Sequence, residues 1–186
     1  MDSKNCEYVE DYKKNIEKKF DRKTANFRVY VREFNDNDIE ALTECANDIN
    51  VSKGVNSNLL PYPFKRENAE IIIKRSELGI EKHYGIFLKN EDKLIGGLVI
   101  FNLNEESAEI GYWINSKYIG RSYAKEAVII LIDICFGVFF VNKIYARILS
   151  TNEASIKLIK SLNFKEVGFE NKSGKMEYIF SLSKYN

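Results

Sequence analysis

The sequence predicts a mixed α/β domain: a central, mostly antiparallel twisted sheet of about seven strands, flanked by helices. Three observations carry this. Residues 109–127 begin with strand alternation, Ile110, Tyr112 and Ile114 on one face and Glu109, Gly111 and Trp113 on the other. The same stretch ends as a helix, with apolar residues at Ala124, Ala127, Val128, Leu131 and Ile132. Before it, three short apolar segments follow one another, joined by Asn90-Glu91-Asp92 and Asn104-Glu105-Glu106, the turn chemistry of antiparallel hairpins.

Taken in order, residues 5–20 read as a helix striped by Tyr8, Val9, Tyr12, Ile16 and Phe20. The expected division is an appended helix at 1–25 and a main domain at 26–186. Phe27–Glu33 alternates as a strand. Asn35-Asp36-Asn37-Asp38 caps a helix from about Asp38 to Asp48. Asn50–Phe64 holds both prolines and reads as an irregular, aromatic-rich loop; such loops in compact domains are frequently functional. A helix follows from about Arg66 to Leu78. The three hairpin strands are His83–Leu88, Lys93–Asn102 and Ser107–Ile114, and Gly96-Gly97 in the middle one predicts a bulge or close packing against another backbone. After Gly120 a helix runs to about Phe136, then a strand over Lys143–Leu149. Thr151-Asn152-Glu153 caps a helix over Glu153–Leu162, and strands Phe164–Phe169 and Met176–Leu182 close the chain around a turn at Asn171–Lys175.

The connection between the fourth strand and its helix carries a chemical signal. It holds Gly120, Arg121 and the small residues Ser122 and Ala124. A helix start leaves backbone N–H groups unpaired and carries positive partial charge, and small residues let a phosphate-sized anion approach. An ordinary tight connection has the same composition, so both readings stand at this point.

Composition excludes several classes. The 186 residues carry 28 basic and 27 acidic side chains, a net charge of +1, so no global field favours nucleic acid. The apolar run Ala127–Val141 is interrupted by Asp133 and Gly137 and is too short to span a bilayer. Cys6, Cys45 and Cys135 show no metal-ligand spacing and read as reduced thiols, which with the charged first 20 residues predicts a cytoplasmic protein without bound metal.

The element order β-α-α-β-β-β-α-β-α-β-β accompanies a distinctive text. It runs Glu-Ile-Gly-Tyr-Trp-Ile, Tyr-Ile-Gly-Arg-Ser-Tyr-Ala-Lys-Glu-Ala, Ile-Tyr-Ala-Arg-Ile, and Thr-Asn-Glu-Ala-Ser-Ile-Lys-Leu-Ile-Lys-Ser-Leu-Asn-Phe. Over about residues 27–183 this resembles the GNAT acetyltransferase superfamily, and more closely its branch of ribosomal-protein N-terminal acetyltransferases (RimJ/RimL-like). The resemblance implies acetyl-CoA as donor and a splay between the fourth and fifth strands. The pantetheine arm would pair with the fourth strand, which places Tyr112, Trp113 and Ile114 beside the thioester. The pyrophosphate turn of the family maps onto Lys117, Ile119, Gly120, Arg121, Ser122, Tyr123 and Ala124. Lys117 departs from the usual Arg or Gln, and Ser122 from the usual Gly or Ala; Ser122 is expected to need ordinary backbone angles. Asn152 matches the family's pantetheine-binding Asn and is also a helix N-cap by position.

The same resemblance implies direct attack by a primary amine within a ternary complex. Glu109 is the candidate general base, with an exposed or paired strand carboxylate as its plainer reading. The Tyr that protonates the leaving thiolate in many relatives is replaced by Ile159, and Ser155 matches the Ser that fills this role in the RimL-like pattern. His83, the single His, reads as structural or exposed. The acceptor-side segments, Leu59–Phe64, the first two helices and the Asn171–Lys175 turn, carry no strong anionic cluster, which favours a protein N-terminus. A small-molecule amine, polyamine or antibiotic, is the alternative acceptor, and a CoA-binding module without turnover is the alternative class. Oligomeric state is not written in the sequence; the N-terminal helix is the candidate homodimer contact.

Overall fold

The computed structural model describes residues 26–55, 60–172 and 174–184. The expected helix over 5–20, and with it the 1–25 boundary and its dimer contact, lie outside them. Seven strands form one sheet in the order β1-β2-β3-β4-β5-β7-β6. They are β1 (Val29–Glu33), β2 (Lys82–Leu88), β3 (Lys93–Phe101), β4 (Ser107–Ile114), β5 (Lys143–Leu149), β6 (Lys165–Lys172) and β7 (Lys175–Ser183). Every pairing is antiparallel except β4 with β5.

The helices are α1 (Ile39–Ala46), α2 (Ile49–Gly54), α3 (Arg66–Glu77), α4 (Tyr123–Gly137) and α5 (Glu153–Ser161). Asn35 caps as expected, through a 3-10 turn over Asp36–Asp38 that precedes α1: its side chain accepts from Asn37 N, and Asp38 accepts from Asn35 N. Two boundaries differ from the sequence reading. The first helix stops at Ala46, because Asp48 caps a new one by accepting from Asn50 N. The stretch expected to be irregular from Asn50 therefore opens with α2. The Asp48 cap starts a helix where the composition read as loop.

Two apolar clusters lie on opposite faces of the sheet. On one face Ala127, Val128, Leu131 and Cys135 of α4 and Ile159 of α5 pack against Ile86, Ile95, Ile100, Ile110 and Ile144. On the other, α1 to α3 bury Leu42, Val51, Ala69 and Ile73 against Phe34, Phe87 and Leu94, with Trp113 alongside. The successive residues Ile86 and Phe87 enter different clusters, as the strand's two-residue period dictates. Cys45 and Cys135 are free and buried, and burial pushes both thiols up to about 12, which keeps them unreactive.

Both expectations for Gly96-Gly97 hold. The β2–β3 register shifts between Ile86 and Phe87, opposite Gly96 and Leu94, a bulge. A Cβ at Gly96 would sit 2.4 Å from the Trp113 carbonyl oxygen, and one at Gly97 would sit 2.6 Å from Trp113 Nε1. The glycines thus let β4 lie close, with the Trp113 ring over Gly97.

Candidate active site

β4 and β5 pair for only three residues, Ser107, Ala108 and Glu109 against Lys143, Ile144 and Tyr145. Beyond Glu109 the strands separate, and the β4 backbone from Ile110 to Ile114 has no ladder partner on its β5 side. On its other side it pairs with β3 throughout this stretch. An open strand edge of this kind accepts an extended, amide-bearing chain by β-addition. Tyr112 spans the opening: its hydroxyl donates to the Ser155 carbonyl over 3.2 Å, tying β4 to the start of α5. Burial pushes the Tyr112 phenol up to about 12.

The turn after β4 is built by contacts from distant parts of the chain. Asn115 Nδ2 donates to the Cys45 carbonyl at 2.9 Å, and Asp48 Oδ2 accepts from Ser116 N at 2.8 Å. Both bonds fasten the turn to the α1–α2 junction. Gly120 has φ +78° and open space where a Cβ would stand. Ser122 has φ +64°, a left-handed conformation, and puts no side-chain cap on the first turn of α4. The expectation of ordinary angles at Ser122 is therefore corrected: the turn needs the geometry that Gly adopts freely, and Ser takes it at a conformational cost. Lys117, Ile119, Gly120 and Arg121 are exposed, Tyr123 and Ala124 half-buried. The turn is a small-residue, uncapped helix start with two cations nearby, which fits a pyrophosphate.

Arg28, which sequence reasoning gave no role, holds this turn. Its guanidinium donates to Glu126 at 2.5 and 2.9 Å and to the Arg121 carbonyl at 2.6 Å. It also lies 4.7 Å from the centroid of the Tyr123 ring, and its backbone N–H donates to Glu126. The pair joins residues 98 positions apart, and no local pattern marks it.

At the start of α5, Asn152 performs two jobs. Its Oδ1 accepts from Ser155 N at 3.1 Å, the N-cap bond, and its Nδ2 donates to the Gly54 carbonyl at 2.8 Å. Ser155 follows on the first turn. Ile159 is wholly buried in the core, so the position of the usual Tyr supplies no acid here.

A cavity of about 750 Å³ lies at the splay. Its walls include Tyr112, Trp113, Asn152, Ser155 and the apolar Phe34, Leu60, Ile71 and Ile72. Ile114 and residues 117–124 are not among them, so the turn and the cavity are separate parts of the site. Glu109 lines the cavity, on the last paired residue of β4. Its Oε2 accepts from Arg147 and, at 3.1 Å, from Asn102 Nδ2. Arg147 Nε also lies 3.5 Å from Glu170 on β6. Arg147 was visible in the sequence only as a charge in mid-strand, between the core residues Ala146 and Ile148.

Across the cavity, Arg75 grips Glu81 with two bonds of 2.7 and 3.0 Å, and His83 Nε2 lies 2.8 Å from the same carboxylate. Arg75 holds the Glu81 carboxyl below its ordinary range, and burial lowers His83. His83 is buried, not exposed. In all, Glu81, Glu109, Glu170 and Glu177 face Arg75 and Arg147. None of the four lies in the segments named for acceptor contact: Glu81 precedes β2, and Glu109, Glu170 and Glu177 lie on β4, β6 and β7.

Comparison with known proteins accounts for this arrangement. The model of the acetyltransferase (GNAT) domain matches residues 28–165. The uncharacterised N-acetyltransferase p20 of Bacillus licheniformis is 30% identical over 168 residues, covering 84% of this chain and 93% of its own. The spermidine N-acetyltransferase of Vibrio cholerae, solved with CoA and spermine, superimposes with TM-score 0.74 at 17% identity, over 86% of this chain and 97% of that one. RimL, the ribosomal L7/L12 α-N-protein acetyltransferase solved with coenzyme A, superimposes with TM-score 0.74 at 16% identity, over 85% and 95%. The chain belongs to the GNAT acetyltransferase family. It is an acetyl-CoA-dependent acyltransferase of that family.

Proposed function

We propose that the chain transfers the acetyl group of acetyl-CoA to a primary amine, with a protein or peptide N-terminus as the acceptor, as in the RimJ/RimL-like branch. The observation that carries the reaction is the early end of β4–β5 pairing, which leaves the Ile110–Ile114 backbone open beside a cavity lined by Ser155 and Glu109. Acetyl-CoA supplies the activated acyl carbon. The Gly120–Ala124 turn holds its phosphates, and the free N–H groups of β4 and the Asn152 region hold its amide arm. Backbone N–H groups near Gly111 face the developing negative charge on the acyl oxygen. Glu109 takes the proton that the attacking amine releases; Oε2 is already occupied, which leaves Oε1 for this. Ser155 Oγ gives a proton to the departing sulfur and regains one, through solvent in the cavity, from the protonated Glu109, so both residues return to their starting states.

A second reading, a small polyamine as acceptor, is favoured by one observation: four carboxylates against two guanidinium groups in the cavity wall. Thiol release measured with peptides bearing Ser, Ala, Thr or Met N-termini, with spermidine and with an aminoglycoside decides between them. Turnover on one peptide class supports the leading reading; turnover on spermidine alone replaces the acceptor; binding of acetyl-CoA without any turnover overturns the enzymatic proposal.

A further inference from the structure

Glu177 stands apart from every other carboxylate of the cavity. It is the third residue of β7, opposite Leu149 of β5 and Glu170 of β6, next to the end of the splayed strand. It is 8% exposed and lines the cavity. Glu109 is bonded to Arg147 and Asn102, Glu81 to Arg75 and His83, and Glu170 lies 3.5 Å from Arg147. The Glu177 side chain has no hydrogen-bond or ion-pair partner among the described residues; Arg147 reaches it only through space. Among the described residues, no fully buried side-chain nitrogen or oxygen lacks a partner, so the Glu177 carboxylate opens onto the cavity. A carboxylate that meets the cavity with no protein partner of its own has its acceptor capacity free for a ligand. Among the described residues that line the cavity, four carboxylates stand against two guanidinium groups, a surplus of negative charge.

We infer that Glu177 is the acceptor-specificity residue of this site, binding a second positive charge on the acceptor while the reacting amine, uncharged, attacks the thioester. The inference rests on the proposed transfer to an amine and adds the acceptor class: a molecule with an ammonium group beyond the one acetylated. A polyamine and a peptide N-terminus followed by Lys share this chemistry. The apolar wall of Phe34, Leu60, Ile71 and Ile72 suits the methylenes between the charges.

The test compares acceptors matched in shape and differing in charge. These are 1,4-diaminobutane against butylamine, and Ser-Lys against Ser-norleucine peptides, with the whole chain and with Glu177→Gln and Glu177→Asp. The wild type is expected to favour the dicationic member of a pair by about 10- to 100-fold in kcat/KM, the range of one charge-assisted hydrogen bond. Glu177→Gln is expected to abolish that preference by raising the acceptor KM, with the acetyl-CoA KM unchanged, and Glu177→Asp to retain part of it. Which pair shows the effect tells polyamine from peptide. Equal use of both members of each pair by the wild type, or a preference that survives Glu177→Gln, overturns the inference. If no amine is acetylated, the proposed function fails, and calorimetry with 1,4-diaminobutane still decides: binding lost in Glu177→Gln supports the role, and no binding to the wild type overturns it.

Discussion

Arg28 offers the sharpest test of the proposed phosphate-binding turn after β4. In Arg28→Ala the side-chain bonds to Glu126 and to the Arg121 carbonyl disappear, and so does the stack on Tyr123. Hydrogen bonds to charged groups contribute about 1.5–3 kcal/mol each when buried. Here the Arg28 side chain is 52% exposed, so solvent screening reduces the whole set to about 1–2 kcal/mol. For a chain of this length that corresponds to a fall in Tm of about 3–6 °C. The larger consequence is electrostatic. Glu126 is 14% exposed and lies in the first turn of α4, where a carboxylate faces the same N–H groups that would hold phosphate. Neutralised by Arg28 it is harmless; alone it opposes the anion by about 1–2 kcal/mol, the scale of charge effects at helix ends. The acetyl-CoA KM should rise about 5- to 30-fold, with the acceptor KM unchanged. The double variant Arg28→Ala/Glu126→Gln should recover most of that affinity while staying less stable than wild type. The reasoning fails if Arg28→Ala leaves the acetyl-CoA KM unaltered, or if removing Glu126 from it weakens binding further.

Two further outcomes follow from the same geometry. Ser122→Gly removes a left-handed serine that costs about 1–2 kcal/mol and adds the greater chain entropy of glycine, about 0.5–1 kcal/mol. The net is a stabilisation of about 0.5–1 kcal/mol, a rise in Tm of about 1–4 °C by calorimetry, whereas Ser122→Ala should give none. His83 is held neutral by burial, so its folded pKa lies below the unfolded value. Its contribution is present above about pH 6.5 and is lost as the pH falls through the folded pKa, because the unfolded chain binds the extra proton first. Thermal stability should therefore drop between pH 7.5 and 5.5, less steeply in His83→Gln. The Glu81–Arg75 pair adds its own loss at lower pH.

Period and punctuation in the sequence placed nearly every strand and helix. Ser107–Ile114 and Lys143–Leu149 match the expected strands residue for residue. The misjudged stretch, Asn47 to Gly54, was one read as irregular from Asn50, where a second Asx cap at Asp48 starts a short helix. In the site, local chemistry was legible: the strand edge, the Gly120 turn, the Asn152 cap and Ser155 all lie within contiguous text. Residues whose role depends on a partner far along the chain were not. Arg28 meets Glu126 across 98 positions, Arg147 meets Glu109 across 38, and Asn152 meets Gly54 across 98.

The alternation and turn signals by themselves determined the elements, and the spaced motifs determined the family and its donor. Backbone propensity and capping act over a few residues, so a linear reading recovers them. The charge of the cavity was decided only when β4, β6 and β7 converged, placing Glu109, Glu170 and Glu177 around one guanidinium. Each of these residues sits in a strand as an ordinary surface carboxylate would. Only the register of the sheet brings them to one face around Arg147, where Glu177 is buried and Glu170 stays exposed.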